Sequence, residues 1–228
     1  MHILLASGSP RRRELLANAK LDLHITSVDI DESTLSNESP IDYIQRMVAS
    51  KATAAVEQLN ADYRANNSLF ASISDPFIML TADTIGVLPD GKTVLVKPID
   101  RAHAYQMWQQ MSANTHQVWT AVQATKISLL PSLSTDSGDQ NNAESELSLQ
   151  VLWQRQIIER TQVSFVPLTP AMMADYWDSG EPADKAGAYG IQGLAAAWVT
   201  AINGSYTNVV GLPLAQTLAL IEEASSQY

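Results

Sequence analysis

Ile3-Leu4-Leu5-Ala6-Ser7-Gly8-Ser9-Pro10-Arg11-Arg12-Arg13-Glu14-Leu15-Leu16 is the stretch from which the rest of the chain can be read. Four apolar residues ending at a Ser/Gly cluster predict a buried strand that runs into a tight loop. Ser9 then stands as a natural N-cap and Pro10 as a first helical residue, where its missing N–H would have had no partner. Three consecutive arginines follow in the first turn, where the helix dipole already carries about half a positive charge. Free backbone amides, the dipole and guanidinium forks all attract a multiply charged anion such as phosphate. A solvated basic face is the plainer explanation. Arginines that oppose the dipole behind a Ser-Gly-Ser loop weigh against it.

The surrounding chain narrows the classes. Its 228 residues suffice for a full hydrophobic core and read as one large domain or two small lobes over 1–228, with no linker clean enough to separate two domains and an acidic surface excursion at about 131–149. A net charge of −10 argues against general nucleic-acid or membrane partners, so the arginine cluster is a local site. Without cysteine there is no disulfide framework, thiolate nucleophile or Cys-based zinc site. No apolar run approaches the roughly 20 residues of a membrane span, and no signal peptide is visible. A cytoplasmic protein is the expectation.

Strand-like and helix-like segments alternate along the chain, which predicts an α/β fold. Leu21 to Ile30 reads as a second strand that ends in the acidic loop Asp29-Ile30-Asp31-Glu32, a place able to hold a divalent cation. Ser39-Pro40-Ile41-Asp42 opens a helix with the apolar stripe Ile41, Ile44, Val48, Ala55 and Leu59. Lys51 falls on that stripe and must snorkel or find an anion. Asn60 to Asp75 reads as loop. Phe77 to Leu80 reads as a central strand that delivers Thr81-Ala82-Asp83-Thr84 at its end, where ligands of α/β sheets gather. Ile85 to Leu88 continues as apolar strand, so Asp83 lies between two apolar runs, a poor position for an idle carboxylate.

A hairpin turn at Pro89-Asp90-Gly91-Lys92 leads to Val94-Leu95-Val96 and to Lys97 at the strand end. Asp100 caps a helix with the stripe Ala104, Met107, Trp108 and Met111. Strands from His116 to Leu130 and from Val151 to Val166 flank Pro131 to Leu149, an excursion with four acids and no base. Thr169-Pro170 opens another helix. Asp184 to Gly193 packs three glycines around Lys185, Tyr189 and Gln192, as a loop would where backbone approaches a ligand closely. A last strand runs to Ile202, and a last helix starts near Gly211 or Pro213. The histidines, His2, His24, His103 and His116, are scattered with no metal-ligand spacing.

Five cations from separate places, Arg11, Arg12, Lys51, Lys97 and Lys185, join the hydroxyls of Ser7 and Ser9 and one candidate base, Asp83. There is no Walker A pattern and no nucleophile elbow with a histidine. What remains is a cationic cleft for polyphosphate. It suits attack by water on phosphorus, with a divalent metal and the cations offsetting the developing charge. Carboxylates are ionised at neutral pH and accept protons. Thr84 beside Asp83 should lie near the bound polyphosphate ligand. Gln192 offers an amide with one acceptor and two donors to whatever the loop approaches.

The segments LASGSPRRRELL (5–16), SPIDYIQRMVASKA (39–52), TADTIGVL (81–88), VKPIDRAHAYQMW (96–108), HQVWTAV (116–122), DKAGAYGIQG (184–193) and INGSYTNVVGLPL (202–214) occur in the order of the Maf family, and the chain resembles that family over nearly its whole length. The resemblance implies nucleoside triphosphate pyrophosphatase activity, cleaving between the α- and β-phosphates. It implies an ITPase-like α/β fold, a mixed twisted sheet with flanking helices and two lobes around a central cleft. It also implies a divalent cation, Mg2+ or Mn2+, and homodimer formation. Asp83 would be the proton acceptor. Ser9, Arg11, Arg12, Lys51, Lys97 and Gln192 would line the substrate site, with Glu32 a further position; Glu32 and Asp83 are the candidate metal ligands. Arg12, Thr84 and Gln192 together look like the dTTP/UTP branch, whereas the 7-methyl-GTP branch has Asp-Gln in place of Asp83-Thr84. Ser112-Ala113 departs from the Ser-Gly pair usual in the family. A different class stays open, a regulatory protein that binds nucleotide without turnover. Asp83 weighs against it, because a carboxylate among phosphates weakens anion binding.

Overall fold

The computed structural model describes residues 2–65, 73, 75–131 and 147–227. β1 (Ile3–Ala6) is wholly buried and lies between β2 (Leu23–Thr26) and β3 (Phe77–Val87), parallel to both. Period-two alternation sends its side chains to opposite faces. Ile3 and Leu5 meet Leu16 of α1 (Pro10–Asn18) and Leu220 and Ala224 of α6 (Leu214–Ser226), while Leu4 and Ala6 meet Ala52, Ala55 and Leu59 of α2 (Pro40–Arg64). A strand covered on both faces needs a continuous apolar run, which Ile3 to Ala6 supplies. The seven-stranded sheet runs β2-β1-β3-β5-β6-β7, with β5 (Thr115–Pro131), β6 (Leu147–Phe165) and β7 (Val199–Asn203) antiparallel, and β4 (Val94–Leu95) pairing with β3. The mixed sheet with flanking helices is the fold class expected from the sequence.

Helix starts follow their caps. Ser39, Asp100 and Thr169 accept from the backbone N–H three residues on, opening α2, α3 (Arg101–Met111) and α4 (Pro170–Asp178). Ser9 caps α1 by backbone conformation alone; its own N–H donates to Ser7 Oγ. Around Trp108, fully buried on α3, Tyr105, Tyr176, Trp177 and Trp198 pack at ring distances of 4.7–6.5 Å among themselves. Such ring pairs add to the area each buries.

Several boundaries differ from expectation. β2 is four residues long rather than spanning Leu21 to Ile30, because β1 offers only four residues to pair with. α2 continues through Asn60 to Arg64, where loop was expected, since Leu59 keeps its stripe buried; the middle of the 60–75 segment lies outside the described residues. Pro131 and Leu147 to Leu149 belong to the β5–β6 ladder, so only 132–146 of the acidic excursion remains, also outside the described residues. A short helix, α5 (Tyr206–Val210), precedes Gly211 where none was expected.

One difference bears on function. Asp83 is not at a strand end: β3 runs unbroken from Phe77 to Val87 and pairs with β5 throughout. β1 stops pairing with it at Leu80, and β4 starts at Gly86. Between them one edge of β3 has no strand beside it, and a cleft opens there.

Candidate active site

The cleft measures about 1130 Å³, slightly above the usual range for small-molecule sites. Every residue singled out from the sequence lines it: Ser7, Ser9, Arg11, Arg12, Glu32, Lys51, Asp83, Thr84, Lys97, Lys185 and Gln192. Alternation along β3 sends neighbours to opposite faces. Asp83 goes the way of Thr81 and Ile85, toward α2, where Thr81 Oγ1 donates to the Val48 carbonyl. Thr84 goes the way of Ala82, toward α1 and α6. The cleft wraps the open edge and reaches both.

On the α2 side, Lys51 Nζ stands 2.6 Å from Asp83 Oδ1 and 2.8 Å from Glu32 Oε1. The anion required by an inward lysine is thus a pair of carboxylates. No hydrogen bond among the described residues engages the second oxygen of Asp83. Burial pushes the Glu32 carboxyl up, but the Lys51 hydrogen bond and the charges of Lys51, Lys97 and Arg12 outweigh it and hold the group below its ordinary value. The loop that carries Glu32 has no regular structure and is held by α2. Tyr43 Oη donates to the Glu32 carbonyl at 2.9 Å, and Arg46 clamps Glu38 through two nitrogens while donating to the Ser33 carbonyl. Tyr43 is a cleft residue that sequence reasoning missed; it stands two i+4 steps before Lys51, on the same helix face. Burial, then Asp83 and Glu32, push its phenol up to about 12.

On the other side Arg12 is turned into the protein. Its Nε donates to the Gly211 carbonyl (2.9 Å), Nη1 to the Ala82 carbonyl (2.9 Å) and Ser7 Oγ (3.2 Å), and Nη2 to Thr84 Oγ1 (3.0 Å). It thereby fills the gap that β1 leaves beside β3. Burial lowers the guanidinium's pKa, opposed by Asp83. Thr84 Oγ1 also bonds Thr120 Oγ1, which donates to the Asn208 carbonyl. Buried Asn208 donates to the Val118 carbonyl and to Thr161 Oγ1. Arg12 and Thr84 therefore reach the cleft as parts of a hydrogen-bonded network, whereas no hydrogen bond or ion pair among the described residues engages Arg11.

The other cations differ in setting. Lys97 is two-thirds exposed, with Nζ 3.9 Å from Glu32 Oε2. Lys185 Nζ donates to the Glu181 carbonyl at 2.6 Å. In the same loop the glycines admit side chains of the protein itself. A Cβ at Gly193 would meet Glu181 Oε2 at 2.0 Å, one at Gly190 would meet Lys185 Cε at 2.9 Å, and Gly187 adopts φ +70°. Trp108 Nε1 donates to the Ala188 carbonyl and anchors the loop. Gln192, exposed at its tip, faces the cleft.

Two carboxylates drawn to one ammonium are hard oxygen donors that converge on a point. With phosphate oxygens and water they suit Mg2+ or Mn2+, which use one or two protein carboxylates in such sites.

A mixed α/β sheet whose open strand edge carries cations and paired carboxylates in one cleft defines an α/β protein with a charged cleft at a strand edge. The chain belongs to the Maf family: the Maf-like protein family matches residues 2–224. It is 64% identical over 228 residues to a protein of Psychrobacter arcticus named dTTP/UTP pyrophosphatase, covering 99% of this chain and 96% of that one. It is 65% identical over 225 residues to the protein of the same name from Psychrobacter cryohalolentis, covering 98% and 97%. Against that of Hahella chejuensis it is 37% identical over 221 residues, covering 97% and 91%. Among the described residues, no helix is long and apolar enough to cross a membrane.

Proposed function

We propose that this chain hydrolyses dTTP and UTP to the nucleoside monophosphate and pyrophosphate, with Asp83 as the base. The observation that carries the reading is the Asp83–Lys51–Glu32 cluster inside a cleft lined by further cations. The names of relatives at 64% and 65% identity support the same reaction. Lys51 holds one oxygen of Asp83 and leaves the other to accept the proton of an attacking water. Arg11, Lys97 and the amides of the Ser7–Ser9 loop receive the triphosphate; Lys51 and Arg11 offset the charge that grows as the α–β bridge breaks. Water adds across that bridge, pyrophosphate leaves, and the proton passes to Asp83. Glu32 and Asp83 would hold a divalent cation such as Mg2+ or Mn2+, which when bound supplies charge neutralisation on the phosphate oxygens. Gln192 reads the imide edge of the base, with Thr84 fixed beside it by Arg12.

Catalytic efficiency across dTTP, UTP, CTP, GTP, ATP and 7-methyl-GTP, read as pyrophosphate release, tests this. dTTP and UTP should lead. CTP, which keeps the ring size but inverts one contact, should fall by tenfold or more, since about 1.4 kcal/mol of lost pairing is tenfold. Higher efficiency with purine triphosphates would overturn the base assignment, and release of inorganic phosphate in place of pyrophosphate would overturn the reaction.

A further inference from the structure

At the opposite end of β1 from the cleft, His2, Asp22 and His24 bring one ligand atom each within 4.8 Å of one another. Among the described residues this is the one group of three or more such side chains so arranged. Register explains it. Ile3 pairs with Leu23 and Leu4 with His24, so His2 precedes β1 opposite Asp22, and alternation turns His2, Asp22 and His24 to the same face. The histidines are far apart in sequence and adjacent across two parallel strands, which is why their spacing carries no metal signature.

We propose that these three side chains form a site for a late first-row divalent cation of the Zn2+ class. Two imidazoles and a carboxylate are a donor set that suits such ions. Tetrahedral bonds of about 2.0–2.2 Å put two ligand atoms about 3.3 Å apart, and His2 Nε2 lies 3.3 Å from Asp22 Oδ2. The His2 and His24 rings are 5.2 Å apart between centroids, tilted by 43°, so modest ring rotation brings the third ligand in. The backbone is already set: the Asp22 carbonyl accepts from Ile3 N–H and the His2 carbonyl from Ile78 N–H, tying ligand residues into neighbouring strands. Asp22 is 73% exposed, which leaves an open path and room for a water ligand. The bound ion clips the start of β1 to β2, an edge strand of four residues, about 13 Å along β1 from the cleft. Its effect is on stability, by mass action.

The test uses the tag-free full chain with saturating Mg2+, titrated with Zn2+ by calorimetry and with Co2+ by visible absorption. One equivalent of Zn2+ should bind, and Co2+ should give the d–d bands of a four- or five-coordinate ion. At a hundred times the dissociation constant, Zn2+ should raise Tm by about 5 °C or more. His24→Ala and His2→Ala should each weaken that binding at least tenfold and abolish the shift, with Mg2+-dependent pyrophosphate release unchanged. Asp83→Asn should keep both the binding and the shift. If His24→Ala folds poorly, His24→Asn serves in its place. Equal Zn2+ affinity and thermal shift in wild type and both histidine variants would overturn the site and leave only a side-chain contact between His2 and Asp22.

Discussion

In the proposed reaction Lys51 is the residue on which the chemistry turns, because its ammonium is shared by two carboxylates that would otherwise repel. Lys51→Ala should raise the KM for dTTP about tenfold or more, the effect of losing one charge-assisted contact of about 1.4 kcal/mol. An unchanged KM and kcat would reduce the lysine to a structural ion pair. His116 acts on stability. It is fully buried, its Nε2 is 2.8 Å from Tyr189 Oη, the rings of Phe165 and Tyr189 face it, and burial pushes its pKa down to about 4. The unfolded chain takes up that proton near pH 6.5 and the folded one near 4, so stability is complete above pH 6.5 and falls with pH between these values. The loss should total about 3 kcal/mol by pH 4. Urea unfolding of the wild type and His116→Gln across that range measures it; parallel pH profiles would show that His116 contributes nothing.

Among elements, α1 is held at its start by the four acceptors of Arg12, on β3, the Ser7 loop and Gly211. Arg12→Ala takes the donor from the Ala82 carbonyl beside the strand gap and leaves the Gly211 carbonyl only the longer contact from Thr84 Oγ1, and should cost about 2 kcal/mol of stability in denaturant unfolding. Lysine cannot span four acceptors with one ammonium, so Arg12→Lys should recover little of that loss. Full stability in both variants would contradict a bracing role. The arginine cluster was legible in the sequence as a violation of the helix dipole, but its division of labour was not. Arg12's carbonyl partners lie on Gly211 and Ala82, remote in the chain, and only the fold shows that it turns inward while Arg11 stays open. The same limit applies to β3, where the polar residues Thr81, Asp83 and Thr84 disguise an unbroken strand whose pairing with β5 is long-range. Caps at Ser39, Asp100 and Thr169 were legible because capping is local. α5, five residues long, is too short for a periodic signal.

At the scale of the molecule, a chain of net charge −10 gathers five cations, with the carboxylates of Glu32 and Asp83 among them, in one cleft, and the proposed function has that local cluster draw the triphosphate. Pro131 and Leu147 pair directly at the end of the β5–β6 ladder. Replacing 132–146 with a short Gly-Ser turn should leave kcat and KM for dTTP within about twofold, since adjacent strand ends need little chain to join them. A large loss would show that the segment serves the cleft. The proposed reaction joins the acidic loop, α2 and β3 at one carboxylate, and the most direct measurement is turnover and dTTP affinity of Asp83→Asn together. Turnover should drop a hundredfold or more, about the contribution of a general base, while dTTP still binds. Near-normal turnover in that variant would contradict Asp83 as the base.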